Sequence, residues 1–204
     1  MSTVTVPLSR RERRVRETRQ AIVAAAESLF RAQGYGPTTI EQIAERADVA
    51  PRTFFRYFPT KESVLFADAP DRRRRMVEAL EARPATEHPF TSMVAVVRSF
   101  ADEVGHDVAG KALRHRIAAE HESVRAYERL VLETETADAV VGFVARRLGV
   151  DPDQDPRPRV WAGIAMTTFG AGYRSWMDGG QKGTLRRAFD RSLSAAVAAL
   201  DAIP

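Results

Sequence analysis

Between Thr38 and Lys61 the chain can adopt very few folds. Thr39 with Gln42 three residues later forms a capping box, in which hydroxyl and amide each accept a backbone N–H that a helix start leaves exposed. Ile40, Ile43, Ala44 and Ala47 then recur at helical spacing, and the small Ala44 and Ala47 let a second helix cross closely. Asp48-Val49-Ala50 turns the chain, and Pro51 stands where a helix tolerates a missing N–H. Two short helices on a tight turn make a helix-turn-helix, a shape that fits the DNA major groove. The alternative, a helical hairpin buried in an ordinary domain, fits poorly. The second helix displays Arg52, Thr53, Arg56 and Tyr57 together, which is the wrong chemistry for burial.

Upstream, Ser9 with Glu12 is another capping box. Val15, Ile22, Ala25, Ala26, Leu29 and Phe30 mark one face of a helix ending at Gly34. Its first turns carry Arg10, Arg11, Arg13, Arg14, Arg16 and Arg19, a cluster suited to phosphates or to a narrow minor groove. The net charge of +4 is unevenly spread. Residues 1–61 hold eleven basic against six acidic side chains, whereas the rest is almost neutral. A basic N-terminal quarter joined to a neutral majority suits a polyanion-binding module fused to a body with another task.

The stretch also resembles the TetR family of bacterial transcription regulators. The shared features are a Thr-opened helix, Ile43-Ala44-x-x-Ala47, and then Thr53-Phe54-Phe55-Arg56-Tyr57-Phe58-Pro59-x-Lys61-Glu62. The resemblance implies that Thr39 and Lys61 contact phosphates and that Tyr57 replaces a phosphate-contacting His. The residues themselves point to Arg52 as the direct reader of a guanine and to Thr53 as a phosphate or thymine-methyl contact, with Arg56 beside them. The predicted DNA-binding set is therefore Arg10, Arg11, Arg14, Thr39, Arg52, Thr53, Arg56, Tyr57 and Lys61. Two positions depart from the family pattern. Phe55 stands where a Tyr usually offers its hydroxyl to a phosphate, and Ala50 where Ser or Thr commonly caps the recognition helix.

Beyond Lys61 the apolar residues keep helical spacing and nothing alternates with period two, so the whole chain reads as all-α, with about nine helices. A three-helix DNA-binding domain over 1–61 is expected to precede a ligand-binding and dimerisation bundle over 62–204. Pro70 is expected to kink or break the helix that follows Lys61. Pro84 to Pro89 reads as a linker, a further helix is closed by Gly105, and one long helix spans about 123–148.

Catalytic chemistry finds no footing. The chain has no cysteine, so thiol catalysis, disulfides and Cys-ligated zinc are excluded. His115, Glu120, His121 and Glu122 lie close together without the spacing of a metal motif, and no Gly-rich phosphate loop or nucleophile elbow is present. Neither a metal nor a cofactor is expected. No apolar run reaches membrane-spanning length, and the expectation is a soluble, cytoplasmic protein with no membrane partner.

The C-terminal part reads as a receptor. Helical bundles bind ligands between their helices, and Phe90, Met93, Phe100, Tyr127, Met166, Phe169 and Tyr173 are the candidates to line an apolar pocket. The segment around Glu120-His121-Glu122, with Tyr127 and the Gly149 to Asp153 loop, resembles family members whose C-terminal domains bind acyl-CoA-like ligands. One short recognition helix reads few base pairs, so a homodimer on a palindromic operator is expected. Its interface would be built by Ile164, Thr168, Phe189, Leu193 and Val197 on the last two helices. The function expected is a repressor of transcription that leaves its operator when a small apolar effector binds. The rivals are an activator, a ligand-independent DNA binder, and a helical ligand-binding protein that does not act on DNA.

Overall fold

The computed structural model describes residues 9–104, 108–131 and 136–202. Among the described residues eleven helices run in order: α1 (Arg10–Gln33), α2 (Ile40–Arg46), α3 (Pro51–Tyr57), α4 (Lys61–Leu65), α5 (Ala69–Glu81), α6 (Pro89–Val104), α7 (Val108–Glu120), α8 (Glu122–Arg129), α9 (Ala137–Leu148), α10 (Arg157–Asp178) and α11 (Leu185–Asp201). No strand occurs among the described residues, as the sequence led us to expect. The contacts divide the chain into two compact units between Ala67 and Asp68.

In the first unit, local chemistry starts three of the four helices. Ser9, Thr39 and Thr60 each accept the N–H three residues on, and the side chains of Glu12, Gln42 and Ser63 return the bond. Ile22, Ala26, Phe30, Ile43, Ala44, Phe54 and Phe58 fill the core. The turn between α2 and α3 closes with Val49 N–H on Ala44 O at 3.0 Å and Asp48 N–H on Glu45 O at 3.0 Å. Asp48 takes the left-handed conformation this requires, at φ +53°. Asp is one of the few non-glycine residues that enters that region readily.

The second unit has two apolar clusters. Leu80, Met93, Phe100, Phe143, Val144 and Ala165 gather α5, α6, α9 and α10. Ala101, Trp176, Met177, Leu185 and Ala188 tie α10 and α11 to the far end of α6. At Gly172 the two last helices pack closely, since a Cβ there would lie 2.8 Å from the main chain of Phe189.

Among the described residues the chain breaks at Phe66–Asp68, where one helix was expected, and the helix anticipated over about 123–148 covers α8 and α9. Pro70 does not kink a helix. It occupies the first turn of α5, where the N–H it lacks has no intrahelical partner to lose, so the break precedes it. Gly105, the expected end of α6, lies outside the described residues.

Candidate functional site

Helix α3 is only seven residues long, so packing has to fix its orientation. Phe54 and Phe58, one turn apart, are buried with ring centroids 5.9 Å apart. That anchoring turns the opposite face outward: Arg52, Phe55 and Arg56 are exposed, and Thr53 and Tyr57 are half-buried at its flanks. Among the described residues neither Arg52 nor Arg56 makes an ion pair; the Arg56 guanidinium rests 5.1 Å over the Tyr57 ring. The helix begins at Ala50, whose side chain offers no cap, and the first-turn bond runs from Thr53 N–H to Ala50 O at 2.7 Å.

The other predicted contacts differ in how free they are. Arg10, Arg11 and Arg14 are exposed on the first turns of α1. Arg19, in the same cluster, is committed inside its unit: its Nη2 donates to Ala67 O at 2.6 Å and its guanidinium lies 4.9 Å over Phe58. Thr39 uses its oxygen to accept from Gln42 N–H, which leaves its O–H to donate. Lys61 is more constrained. Its Nζ donates to Tyr35 O and Thr38 O, both at 2.8 Å, and sits 4.1 Å over the Tyr35 ring. Burial holds its ammonium below the usual lysine range. The two carbonyls take two of its three N–H donors.

In the second unit the seven predicted pocket residues are not gathered in one cavity. Met93 and Met166 line an internal space with Met76, Leu80 and Val96, but its volume is about 10 Å³, room for roughly one water. Phe90 packs at the edge of the same cluster, and Phe100 lies within it. Phe169 and Tyr173 belong to the other cluster, their rings stacked at 6.4 Å. Tyr127 is half-buried on α8. A wider groove of about 320 Å³ opens between α5 and α6, lined by Ala79, Ala82, Arg83, Ala95, Val96 and Ser99. Val96 lines both spaces.

Sequence reasoning missed an ionic cluster beside Tyr173. Asp68 accepts from Arg72 at 2.5 Å and from Arg114 at 3.3 Å. Burial pushes the Asp68 carboxyl up, but the two guanidinium groups outweigh it and hold it below the usual carboxylate range. Burial also raises the Tyr173 hydroxyl. Nearby, His115 Nε2 lies 2.8 Å from Asp178. Residues 68 and 114 are far apart in the chain, and no periodicity links them.

Of the five predicted interface residues, two are buried within the chain. Phe189 is fully enclosed, and Thr168 donates to Ile164 O at 2.7 Å and to Ala165 O at 3.0 Å. Ile164 and Leu193 are half-buried, and Val197 is 48% exposed. Val160 and Leu200 lie exposed on the same two helices.

Known proteins bear on both units. The family model described as "Bacterial regulatory proteins, tetR family" matches residues 22–67, and the model of the MftR C-terminal domain matches residues 87–201. The chain is 36% identical over 172 residues to the HTH-type transcriptional regulator TcmR of Streptomyces glaucescens, covering 81% of this chain and 76% of that one. Among solved structures, NalD of Pseudomonas aeruginosa, the secondary repressor of the MexAB-OprM multidrug efflux pump, aligns with a TM-score of 0.59 at 19% identity. That alignment covers 88% of this chain and 95% of NalD. The TetR-family repressor FadR of Thermus thermophilus, solved in complex with lauroyl-CoA, aligns with a TM-score of 0.55 at 21% identity, covering 86% and 91%. At these identities the two structures speak for the fold alone.

Proposed function

The chain belongs to the TetR family of bacterial transcription regulators, and from that premise we propose that it is a homodimeric repressor released from a palindromic operator by an apolar or amphiphilic effector. It is a DNA-binding regulator and not an enzyme. The observation that carries the reading is the outward face of α3. A helix pinned by Phe54 and Phe58 presents Arg52 and Arg56, which make no ion pair among the described residues, where they can meet phosphates and base edges. Arg52 lies near the start of α3, the end that meets base edges in this motif, and pairs bidentately with a guanine. Arg10, Arg11, Arg14, Thr39, Thr53, Tyr57 and the remaining N–H of Lys61 hold phosphates and set the register.

The effector enters the unit that begins at Asp68. With about 10 Å³ available, the methionine-lined space must expand before any ligand fits. Met76, Met93 and Met166 suit that, because an unbranched thioether changes rotamer at little cost. The groove of Ala79, Ala82 and Ala95 offers the approach. FadR of T. thermophilus holds lauroyl-CoA, so an acyl-CoA-like amphiphile is the first effector class to test here. Effector and operator would favour different conformations of one equilibrium, and the coupling between them must be reciprocal.

The test is binding to duplex fragments from upstream of the protein's own gene. The wild type should protect a palindromic site in footprinting, and Arg52→Ala should keep only weak, salt-sensitive binding without sequence preference. Retained preference in Arg52→Ala would remove its reading role. In calorimetry, lauroyl-CoA should bind the free protein more tightly than the operator complex; equal affinity would rule out release by this ligand.

A further inference from the structure

Phe55 is the largest apolar side chain on the outward face of α3, 52% exposed and lying between Arg52 and Arg56 in sequence. Its ring meets the buried Phe54 edge to face, with centroids 5.6 Å apart and an interplanar angle of 85°. A phenyl ring has no hydrogen-bonding atom for a phosphate. What it offers DNA is apolar contact, and the major-groove edges of the four bases carry a single apolar group, the C5 methyl of thymine. Phe55 also lies three residues after Arg52, about 4.5 Å along the helix axis, on the order of one base-pair step.

We propose that Phe55 packs on a thymine methyl in each half-site, beside the base pair that Arg52 reads, and is a specificity-determining residue of this regulator. The inference rests on the DNA-reading role of α3. The ring makes the contact, and Phe at this position makes it without the phosphate bond that a tyrosine hydroxyl would add there. Arg52 and Arg56 then supply charge around an apolar centre, so one base is read by hydrogen bonds and its neighbour by shape.

The experiment selects sites from a random duplex library with the full-length wild type. Each thymine of the selected duplex is then replaced by deoxyuridine, which removes the methyl and leaves base pairing intact. One thymine per half-site should respond, its replacement weakening wild-type binding about threefold to fivefold, the yield of burying one methyl group. Phe55→Ala should bind the thymine and uracil duplexes equally, whereas Phe55→Tyr, which keeps the ring, should retain the discrimination. Because Phe55 is half exposed, its truncation leaves the core intact, and circular dichroism melting of each variant checks this. A selected site with no methyl-sensitive thymine, or a methyl effect that persists in Phe55→Ala, overturns the inference while leaving the regulator reading in place. Enrichment of no sequence by the wild type overturns both.

Discussion

Ala50 shows how one atom can matter at the start of a reading helix. Its backbone, at φ −68° and ψ 148°, already has the extended conformation of a helix cap, but its methyl group accepts nothing from the N–H groups of α3. Ala50→Ser supplies the missing acceptor without moving the chain. It should stabilise the protein by about 1 kcal/mol and raise the melting temperature by several degrees. An unchanged or lower value in a thermal melt would show that the added hydroxyl does not reach the first turn. Glu87 makes a pH-dependent case. Arg83 and then Ser92 hydrogen-bond its carboxylate and lower its pKa from the ordinary 4.5 to about 2. A carboxyl depressed by folding adds stability above the unfolded value, and that stability is lost as pH falls from about 4.5 toward 2. Glu87→Gln should therefore melt below the wild type at pH 7 and together with it near pH 2; a constant difference across that range would exclude the linkage. The capping boxes at Ser9 and Thr39 were legible in the sequence because both partners sit within one turn. The partners of Lys61 were not, because the Tyr35 and Thr38 carbonyls reach it only through the fold.

At the level of elements, α10 carries Gly163, Thr167, Thr168, Ala171, Gly172 and Ser175, small side chains that permit close helix contact. The helix it meets is α11, and Gly172 is where they touch. Gly172→Ala sets two effects against each other. Replacing glycine inside a helix by alanine gains up to about 1 kcal/mol. The added Cβ, however, would stand 2.8 Å from the N and Cα of Phe189, main-chain atoms that cannot swing aside. Forcing such a contact costs about 1–3 kcal/mol, so the clash should win and the variant should melt lower than the wild type. A higher melting temperature would mean that the helices separate without loss. The junction of α4 and α5 was harder to read. Pro70 signals an interruption, but proline is equally at home in a helix's first turn, and only the observed start of α5 at Ala69 decides between these. The candidate pocket residues divide in a way that the sequence does not show. Helical periodicity marks Met93, Phe100, Phe169 and Tyr173 as inward-facing without saying that they divide between two clusters.

For the molecule as a whole, the open question is what covers the outer faces of α10 and α11. Val160 is 51% exposed, Val197 48% and Leu200 54%, while Ile164 and Leu193 are half-buried. A sequence stripe cannot separate residues that pack within a chain from those left for a partner. Phe189 and Thr168 went to the first use, which directs attention to Leu193, Val197 and Leu200. If two copies meet here, the apolar residues would be buried across a two-fold axis. The best probe is a position that the lone chain already leaves in solvent. Leu193→Arg would disturb half-buried packing as well as an interface, whereas Val197→Arg leaves folding of one chain almost untouched and puts two like charges near the axis. Light scattering should give a dimer for the wild type and a monomer for Val197→Arg, with an unchanged circular dichroism spectrum. Operator affinity should fall at least tenfold at fixed salt, because each half-site must then be bound separately. A Val197→Arg protein that remains dimeric would move the interface away from this face of α11.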